Sequence, residues 1–420
     1  MKFKDNTEEM LLQSEKEGVE PYQMRYRWVM LILAWLMYVA FGVAARSVAP
    51  LVTPILKDLN VSYSQMGIIM GSWPLTYILV ALIAGAVIDR WGIRKSLFVG
   101  GIIIGLSEIL RYFVGGFTSM FLCVALFGVG GPMISVGCPK AISVWFRGKE
   151  RGTAVGVYTA GPWIGGLVAY STANSIVMPL TGYSWRLTFV CYGLLVWVVA
   201  LLWWFLAKDV RPSKTTESAS VVKVFSSLIS VRNIQLIIVM GFLAFAVGHG
   251  FNDWIPKILE IGGLSPVLAG FAASLPLLVG IPTRLIVPHF AAIRLRVRIL
   301  VLASLMIAIA LVIISAGSGS WLITGLLLYG LSFAPITPLL TLILMETPEV
   351  GSRHMGAATG MLFCVADIGG FAGPLIIGVI RDLTGSLLTG VYFIAGLSVV
   401  MAFMGLFLKA RSASGSQSSS

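Results

Sequence analysis

Long apolar stretches alternate with short polar connections along the chain from residue 27 to residue 409. Each stretch is about 20 residues long, which is the length that an α-helix needs to cross a hydrocarbon layer roughly 30 Å thick. The stretches are continuous and rich in Leu, Ile and Gly, without the alternation of a membrane-spanning strand, so they predict helices. Twelve spans are predicted, at 27–51, 64–88, 95–115, 119–145, 152–176, 186–207, 233–257, 265–289, 297–316, 320–345, 355–379 and 387–409.

Charge divides the connections between the spans into two sets. Segments such as DRWGIRK, FRGKERG and IRLRVR are basic, whereas segments such as GGFTS and GSGS carry no charge. Because basic loops are retained in the cytoplasm, we expect the basic set and both termini to lie there, with the chain in the plasma membrane (the inner membrane of a bacterium). These loops also explain the net charge of +12, so no nucleic-acid partner is inferred from it.

Composition agrees with a membrane protein, because only 11% of the residues are charged, against about 25% in soluble domains. The four cysteines all fall inside apolar spans, which indicates neither a disulfide framework nor a metal cluster. The sequence shows no phosphate-binding loop, nucleophile elbow or metal-ligand spacing. We therefore expect an all-α membrane protein that is not an enzyme and has no cofactor.

A polar connection at 208–232 divides the spans into two sets of six. The predicted order is a cytoplasmic tail (1–26), an N-terminal six-helix bundle (27–207), a cytoplasmic linker (208–232), a C-terminal six-helix bundle (233–409) and a disordered tail (410–420). Glycine spacing indicates that the second bundle repeats the first, because Gly67 recurs 203 positions later as Gly270. Four further glycines recur at an offset of 204: Gly152, Gly156, Gly165 and Gly166 match Gly356, Gly360, Gly369 and Gly370. Two halves of six spans share one topology and are related by an axis along the membrane normal.

The segment GAVIDRWGIRK closes the second span with a cluster of charge, although the eighteen residues before it carry none. It resembles the G-x-x-x-D-R-x-G-R-K signature of the major facilitator superfamily. The matching residues are Gly85, Asp89, Arg90, Gly92, Arg94 and Lys95. Retention of basic loops in the cytoplasm would explain Arg94 and Lys95, but neither Asp89 nor the glycines.

This resemblance implies twelve helices in two six-helix pseudo-repeats and secondary transport by alternating access. In the family, the charged cluster forms a cytoplasmic latch between the halves, and Glu150 and Arg151 of the segment VWFRGKERG are its expected partners. The equivalent stretch of the second half, PHFAAIRLRVR, has Ala292 in the place of Asp89. The latch is therefore expected in one half only, and it binds no substrate.

Ionisable groups inside the spans are candidates for the substrate site, because each costs at least ~2.5–3.5 kcal/mol to insert. Arg46 and His249 occupy nearly equivalent positions in the first and seventh spans, so we expect both to face one cavity. Arg284 lies in the eighth span, and nitrate and oxalate porters of the superfamily carry a substrate-binding arginine at a similar place. The planar guanidinium group pairs well with carboxylates and other oxyanions. Snorkelling of these side chains to the membrane surface is the alternative interpretation.

Other polar groups complete the predicted site. Asn252, Lys140 and Trp163 are further candidates for substrate contact, although Lys140 lies near the cytoplasmic end of its span. Asp367, the deepest acid, and Asp253 are candidates for proton coupling. Glu108 and Arg111 stand at i and i+3, so they are expected to neutralise one another.

Away from the span ends, and with the pair Glu108–Arg111 set aside, the spans hold three cations and two anions: Arg46, Lys140 and Arg284 against Asp367 and Asp253. This excess favours a secondary transporter of a small anion or organic acid, driven by an ion gradient and most readily by protons. Segments such as RSVAPLVTPILKDLNVS loosely resemble the cyanate and nitroimidazole porters of the superfamily, while Arg284 resembles the arginine of the nitrate and oxalate porters. The expected partners are a small-molecule substrate, a co-transported ion and membrane lipid, and a monomer is expected. Two alternatives stay open: proton-coupled efflux of drugs or of neutral or cationic metabolites, and a transporter-like receptor without turnover.

Overall fold

A computed structural model of the chain describes residues 21–209, 228–347 and 349–408. The predicted N-terminal tail (1–26) and linker (208–232) lie largely outside the described residues, and the predicted C-terminal tail (410–420) lies entirely outside them. We call the described residues before the linker the first half and those after it the second half.

The described residues form helices joined by short turns, and no strand occurs among them. In the first half the helices are α1 (Pro21–Arg46), α2 (Val52–Leu59), α3 (Tyr63–Trp91), α4 (Ile93–Leu110), α5 (Phe117–Trp145), α6 (Gly148–Thr159), α7 (Gly161–Thr172), α8 (Met178–Leu180) and α9 (Trp185–Leu206). In the second half they are α10 (Arg232–Ile261), α11 (Pro266–Phe290), α12 (Ile293–Ala316), α13 (Ser320–Phe333), α14 (Ile336–Glu346), α15 (Gly351–Thr384) and α16 (Leu387–Gly405). The predicted all-α fold is confirmed.

Eleven helical segments of the described chain are long and apolar enough to cross a membrane. Two of them combine consecutive helices: α1 and α2 form the crossing Tyr26–Leu59, and α13 and α14 form Ser320–Glu346. The remaining predicted span, 152–176, is built from α6 and α7, which meet at Ala160. Pro162 stands in the first turn of α7, where its missing N–H cannot continue the preceding helix. The chain is an integral, multi-pass membrane protein.

Glycines allow the same close helix contact in both halves. A Cβ atom at Gly165 would lie 2.1 Å from the carbonyl oxygen of Val39, so α7 touches the backbone of α1 there. At the equivalent place in the second half, a Cβ at Gly369 would lie 2.1 Å from the carbonyl oxygen of Phe242. Only a residue without a side chain permits this approach. The recurring glycines thus mark a recurring crossing, as expected for two pseudo-repeats.

The two halves are joined tightly at one end of the bundle, which we call the sealed end. Thr53 is hydrogen-bonded to Glu260 there, and the backbone N–H of Ser64 donates to the carboxylate of Asp382 at 2.8 Å. A Cβ at Gly67 would lie 2.5 Å from the carbonyl oxygen of Pro374 on α15. These contacts run from α2 and α3 of the first half to α10 and α15 of the second.

The opposite end, which carries the segment GAVIDRWGIRK, is called the motif end. Four of its glycines, Gly85, Gly152, Gly356 and Gly360, face open space, since a Cβ built on any of them would meet nothing within 4 Å. The bundle is therefore closed at the sealed end and looser at the motif end, and it encloses a cavity between the two.

Candidate functional site

A cavity of about 340 Å³ lies between the two halves. Four helices of the first half (α1, α3, α5 and α7) and four of the second (α10, α11, α13 and α15) line it, and these are equivalent elements of the two repeats. Its volume is at the lower end of the range of about 300–1,000 Å³ that small-molecule sites occupy. The lining residues are Phe41, Gly42, Ala45, Arg46, Trp73, Tyr77, Ser135, Pro162, Trp163, Gly166, Phe245, His249, Asn252, Leu277, Arg284, Phe333, Phe363 and Asp367.

Arg46 lies where the cavity meets the sealed end. It is the last residue of α1, because the chain bends at Ser47 and Val48 into a short 3-10 turn. The guanidinium group forms an ion pair with the carboxylate of Asp253 on α10. This pair joins the halves, and it offsets the charge of Arg46 within the cavity wall.

His249 lies beside this pair, as the repeat position predicted. Its ring stands between Trp73 and Phe245, with centroid separations of 5.4 and 5.7 Å. Nδ1 of His249 is 3.8 Å from Oδ2 of Asp253. Both atoms are buried and neither has a hydrogen-bond partner among the described residues.

Asn252 lines the cavity, but its side-chain amide and its backbone carbonyl already have hydrogen-bond partners within the protein. Its side-chain amide donates to the carbonyl oxygen of Gly248 at 2.7 Å, and its backbone carbonyl accepts a hydrogen bond from the hydroxyl of Tyr170 on α7. Asn252 therefore also helps to join the halves.

Arg284 is the cavity cation that lacks a compensating anion. It forms no hydrogen bond or ion pair with the described residues, although it is partly buried on α11. The guanidinium carbon lies 5.7 Å from the ring centroid of Trp163, which reaches across from α7. Gly280 makes room for that ring, because a Cβ there would lie 2.4 Å from it. The structure thus brings Arg284 and Trp163 together at one side of the cavity.

Asp367 is a cavity acid on α15, and its side chain is buried. No hydrogen bond or ion pair joins it to the parts of the chain that the structure describes. It is therefore placed to exchange a proton with the cavity without first breaking a contact.

Sequence reasoning missed the hydroxyl groups of the cavity wall. Tyr77 and Ser135 line the cavity and are hydrogen-bonded to each other, and Tyr38 donates to the carbonyl oxygen of Ser135 at 3.0 Å. The signal was a polar hydroxyl inside an apolar span, but many hydroxyls in helices bond only to their own backbone. The sequence alone therefore could not distinguish the hydroxyls that line the cavity from those that bond only to the backbone of their own helix.

Lys140 lies apart from the cavity lining and is ion-paired with Asp89 at the motif end. Other motif residues also have partners in their own half. Arg94 donates through Nε to the carbonyl oxygen of Trp204 at 2.9 Å, and its backbone N–H donates to Asp209 at 3.0 Å. In this conformation the charged cluster binds within the first half.

The other residues of the predicted latch lie at the same end of the bundle. Gly92 ends α3 with φ of +85°, a backbone conformation that favours glycine. The ammonium group of Lys95 lies 5.3 Å from the ring of Trp91, while Glu150 is ion-paired with Arg27 at 2.6 Å. The last two members, Arg90 and Arg151, are exposed.

The predicted pairing of Glu108 with Arg111 is confirmed. Their charged atoms are 2.8 Å apart and both side chains are almost fully buried. No group of His, Cys, Asp and Glu side chains in the described ranges is arranged to hold a metal ion.

Apolar helical crossings in two like halves of the described chain, with a charged cavity between the halves, are the architecture of a membrane transport protein. The chain belongs to the Major Facilitator Superfamily, whose family model matches residues 34–374.

Relatives are similar over most of the chain. The Hexuronate transporter of Bacillus subtilis (strain 168) is 24% identical, over 85% of this chain and 88% of its own length. A Putative tartrate transporter of Agrobacterium vitis is 24% identical, over 84% and 83%. The Quinolone resistance transporter of Acinetobacter baumannii is also 24% identical, over 84% and 85%.

Among solved structures, a mutant of the nucleoside transporter NupG superposes with a TM-score of 0.77 at 14% identity. The match covers 91% of this chain and 99% of that one. This similarity confirms the fold.

Proposed function

We propose that the protein is a secondary transporter that carries a small organic acid through the central cavity by alternating access, coupled to a proton gradient. The observation that carries the proposal is Arg284, a cavity cation with no ion-pair partner among the described residues. A partly buried cation without a counter-ion has lost some of its hydration, and a bound carboxylate offsets that loss. The fork of the guanidinium group fits a carboxylate with two parallel hydrogen bonds.

The relatives support the same substrate class. Hexuronate and tartrate, which appear in the names of two relatives, are small hydroxylated carboxylates. Such a substrate needs a cation for its carboxylate and polar groups for its hydroxyls. Arg284 supplies the first requirement, while Tyr77 and Ser135 on the cavity wall supply the second. Trp163 adds an apolar face against which a sugar ring can lie.

The basic connections favour a cytoplasmic motif end, because positive loops are retained there. On that basis the protein is in an inward-open state in a bacterial inner membrane, with both termini inside. Asp367 and Asp253 are the carboxylates available for proton coupling, and the cluster around Asp89 is the latch that closes the cytoplasmic side in the opposite state.

Efflux of a drug is the second candidate, favoured by the aromatic lining of the cavity and by the relative from Acinetobacter baumannii. Phe41, Trp73, Phe245, Phe333 and Phe363 all line the cavity. A neutral or cationic compound would bind to these rings and would have no need of Arg284. The two functions therefore predict opposite consequences of removing that charge.

Uptake of radiolabelled galacturonate and tartrate into proteoliposomes tests the proposal. Arg284→Gln should reduce uptake by about 10- to 100-fold, because a hydrogen bond to a charged group contributes about 1.5–3 kcal/mol and each 1.4 kcal/mol is a factor of ten. Arg294→Gln is the matched control, since Arg294 is exposed at the motif end and should leave uptake unchanged.

Three outcomes would contradict the proposal. Undiminished acid uptake by Arg284→Gln would remove Arg284 from the substrate site. Transport of a neutral or cationic drug by both variants, without any acid transport, would favour efflux. Saturable binding of an acid without uptake would indicate a receptor.

A further inference from the structure

The carboxylate of Asp253 faces two basic groups, but only one of them binds it in this state. Arg46 holds Oδ1 in the ion pair between the halves. Oδ2 points toward Nδ1 of His249, at 3.8 Å, and neither atom has a hydrogen-bond partner among the described residues. Because the two residues stand at i and i+4 on α10, their side chains face each other along one side of the helix.

Two unsatisfied polar atoms at this depth are unfavourable, since each loses its hydration without gaining a partner. A proton added to the His249 ring makes Nδ1 a donor toward Oδ2 whichever ring nitrogen carried the hydrogen before, because both ring nitrogens of the imidazolium carry hydrogen, and it adds a charge that attracts the carboxylate. The separation would need to shorten by only about 1 Å to reach the 2.7–2.9 Å of a charge-assisted bond. The aromatic rings of Trp73 and Phe245 contact the imidazole and keep it facing Asp253.

We propose that His249 and Asp253 together bind the coupling proton, and that proton binding frees Arg46 from Asp253 for the substrate. This inference rests on the proposed function of anion transport. The proton comes from water on the open side of the cavity and forms an N–H bond on His249. The imidazolium then offsets the charge of Asp253 through Oδ2, which weakens the attraction between Oδ1 and Arg46, and the guanidinium group turns into the cavity, which it already lines.

The surroundings of the histidine contain few other groups that could take this role. Among the described residues, the charged or titratable groups near the pair are Arg46 on α1, Tyr77 on α3, Arg111, which borders a small pocket together with Asp253, Tyr170 on α7, Arg284 on α11, Tyr329 on α13 and Asp367 on α15. Of these, Tyr170 donates to the backbone of Asn252, and Tyr329 lies 3.5 Å from the Asn252 amide. Asp367 is the competing proton site, because it lines the same cavity.

The exchange of partners links the proton to both the substrate and the sealed end. A freed Arg46 attracts the anion, so proton and anion each increase the affinity for the other. Because the bond between Arg46 and Asp253 also joins the halves, its loss weakens the sealed end. Protonation is therefore expected to favour opening of that end.

A distance measurement without substrate tests the inference independently of the transported compound. Spin labels on Lys57→Cys and Gly262→Cys, in a background without the four native cysteines, report the separation of the halves at the sealed end in liposomes. Lowering the pH from about 8 to about 5.5, on either side of the ordinary histidine pKa of about 6.5, should increase the open population. His249→Gln should abolish the response. His289→Gln, at an exposed position, is the matched control and should retain it.

A second variant guards against a folding defect of His249→Gln. Asp253→Asn removes the shared anion, so the open population should be high at both pH values. A pH response that survives in either variant would overturn the inference. A response lost only in Asp367→Asn would assign the proton to that residue instead.

Transport measurements distinguish a failure of this inference from a failure of the proposed function. His249→Gln should lose at least tenfold of the galacturonate uptake that an inward proton gradient drives, whereas His289→Gln, at an exposed position, should keep it. If the protein without substitution transports no acid, the proposed function fails while the distance response still decides the proton site. If His249→Gln keeps gradient-driven uptake, the proton site is wrong and the transport proposal stands.

Discussion

Ser47, Glu108 and Arg111 form a buried polar cluster behind the bend that ends α1. The hydroxyl of Ser47 accepts a hydrogen bond from Arg111 at 2.9 Å and lies 3.1 Å from Oε1 of Glu108. The guanidinium carbon of Arg111 lies 4.7 Å from the ring centroid of Phe189. Through Ser47 the cluster fixes the residue next to Arg46, so it holds the cavity arginine in position without lining the main cavity.

Removing either Glu108 or Arg111 alone should destabilise the protein strongly. Glu108→Ala leaves Arg111 buried without its anion, and such changes cost about 3–5 kcal/mol. Thermal unfolding in detergent should therefore show a marked loss of stability. The double change Glu108→Leu with Arg111→Met should recover much of it, since apolar replacement of a buried pair is often neutral.

The control is the ion pair between Asp58 and Arg186, whose side chains are 44% and 28% exposed. Exposed pairs contribute about 0.2–1 kcal/mol, so Asp58→Asn, which keeps an acceptor for the indole N–H of Trp185 at 3.1 Å, should change the unfolding temperature little. Equal losses in Asp58→Asn and Glu108→Ala would contradict the assignment of burial as the cause.

Sequence spacing explains which residue contacts could be predicted. Glu108 and Arg111 are one helical turn apart, so their pairing follows from helix geometry alone. Arg46 and Asp253 are 207 positions apart, and their pairing depends on how two helices from different halves cross. The repeat placed Arg46 and His249 at nearly equivalent positions, but it did not predict which of the two side chains would pair with the carboxylate of Asp253. Lys140 shows the same limit, because its partner Asp89 lies on another helix.

Two pseudo-symmetric crossings close the sealed end. Gly67 on α3 approaches the carbonyl oxygen of Pro374, and Gly270 on α11 approaches that of Tyr170, where a Cβ would lie at 2.5 and 2.3 Å. The opposite ends of these segments carry glycines that contact nothing, including Gly360. We expect those free glycines to make the equivalent crossings when the motif end closes.

Alanine in place of a sealed-end glycine and alanine in place of a motif-end glycine should therefore have opposite effects on which end of the bundle is open. Gly67→Ala places a methyl group against backbone and should open the sealed end. Gly360→Ala meets no atom in this state and should leave stability unchanged or raise it by up to about 1 kcal/mol, because Ala is the better helix former. It should nevertheless slow transport by obstructing closure of the motif end.

Labelling of single cysteines placed at each end, combined with galacturonate uptake, measures both effects. Gly396→Ala is a neutral control, since Gly396 also has open space but lies on α16, which contributes no residue to the cavity lining. Full transport activity in Gly360→Ala would show that the motif end closes without that crossing.

Element boundaries differ from the prediction where backbone geometry, rather than apolar content, sets them. The first span was expected at 27–51, but its crossing continues to Leu59 through a bend. The fifth was expected as one helix and consists of α6 and α7. Hydropathy detects residues that suit lipid and is insensitive to a break within them. The helical type of the elements and the approximate position of each span followed from the sequence, whereas the breaks and bends that divide some spans into two helices required the structure.

At the scale of the whole molecule, the proposed alternating access makes the conformational equilibrium depend on contacts made in only one state. The sealed-end bonds of Thr53 and of Asp382 exist in the present state, and under that proposal they break when the sealed end opens. At the motif end, Asp89 is held by Lys140 within one half. Under the latch proposal this carboxylate must leave Lys140 to bridge the halves. A contact can shift the equilibrium only by its difference between the two states.

Asp89 and Lys140 should therefore shift the equilibrium in opposite directions when each is changed alone. Lys140→Met removes a partner that favours the present state and leaves Asp89 free for the latch, so the motif end should close more often. Asp89→Asn removes the latch itself, so the present state should become more populated. Since ion pairs near the surface contribute about 0.2–1 kcal/mol, each shift should be up to about fivefold.

Spin-label distances across the motif end, recorded without substrate, give the populations directly. Because Lys140 and Asp89 act on one carboxylate, the double change should resemble Asp89→Asn alone rather than the sum of the two single changes. Shifts in the same direction would mean that Asp89 has the same partner in both states, and the cluster would then stabilise the first half instead of latching it to the second. Ala292 makes this test simple, because the second half has no equivalent acid that could compensate.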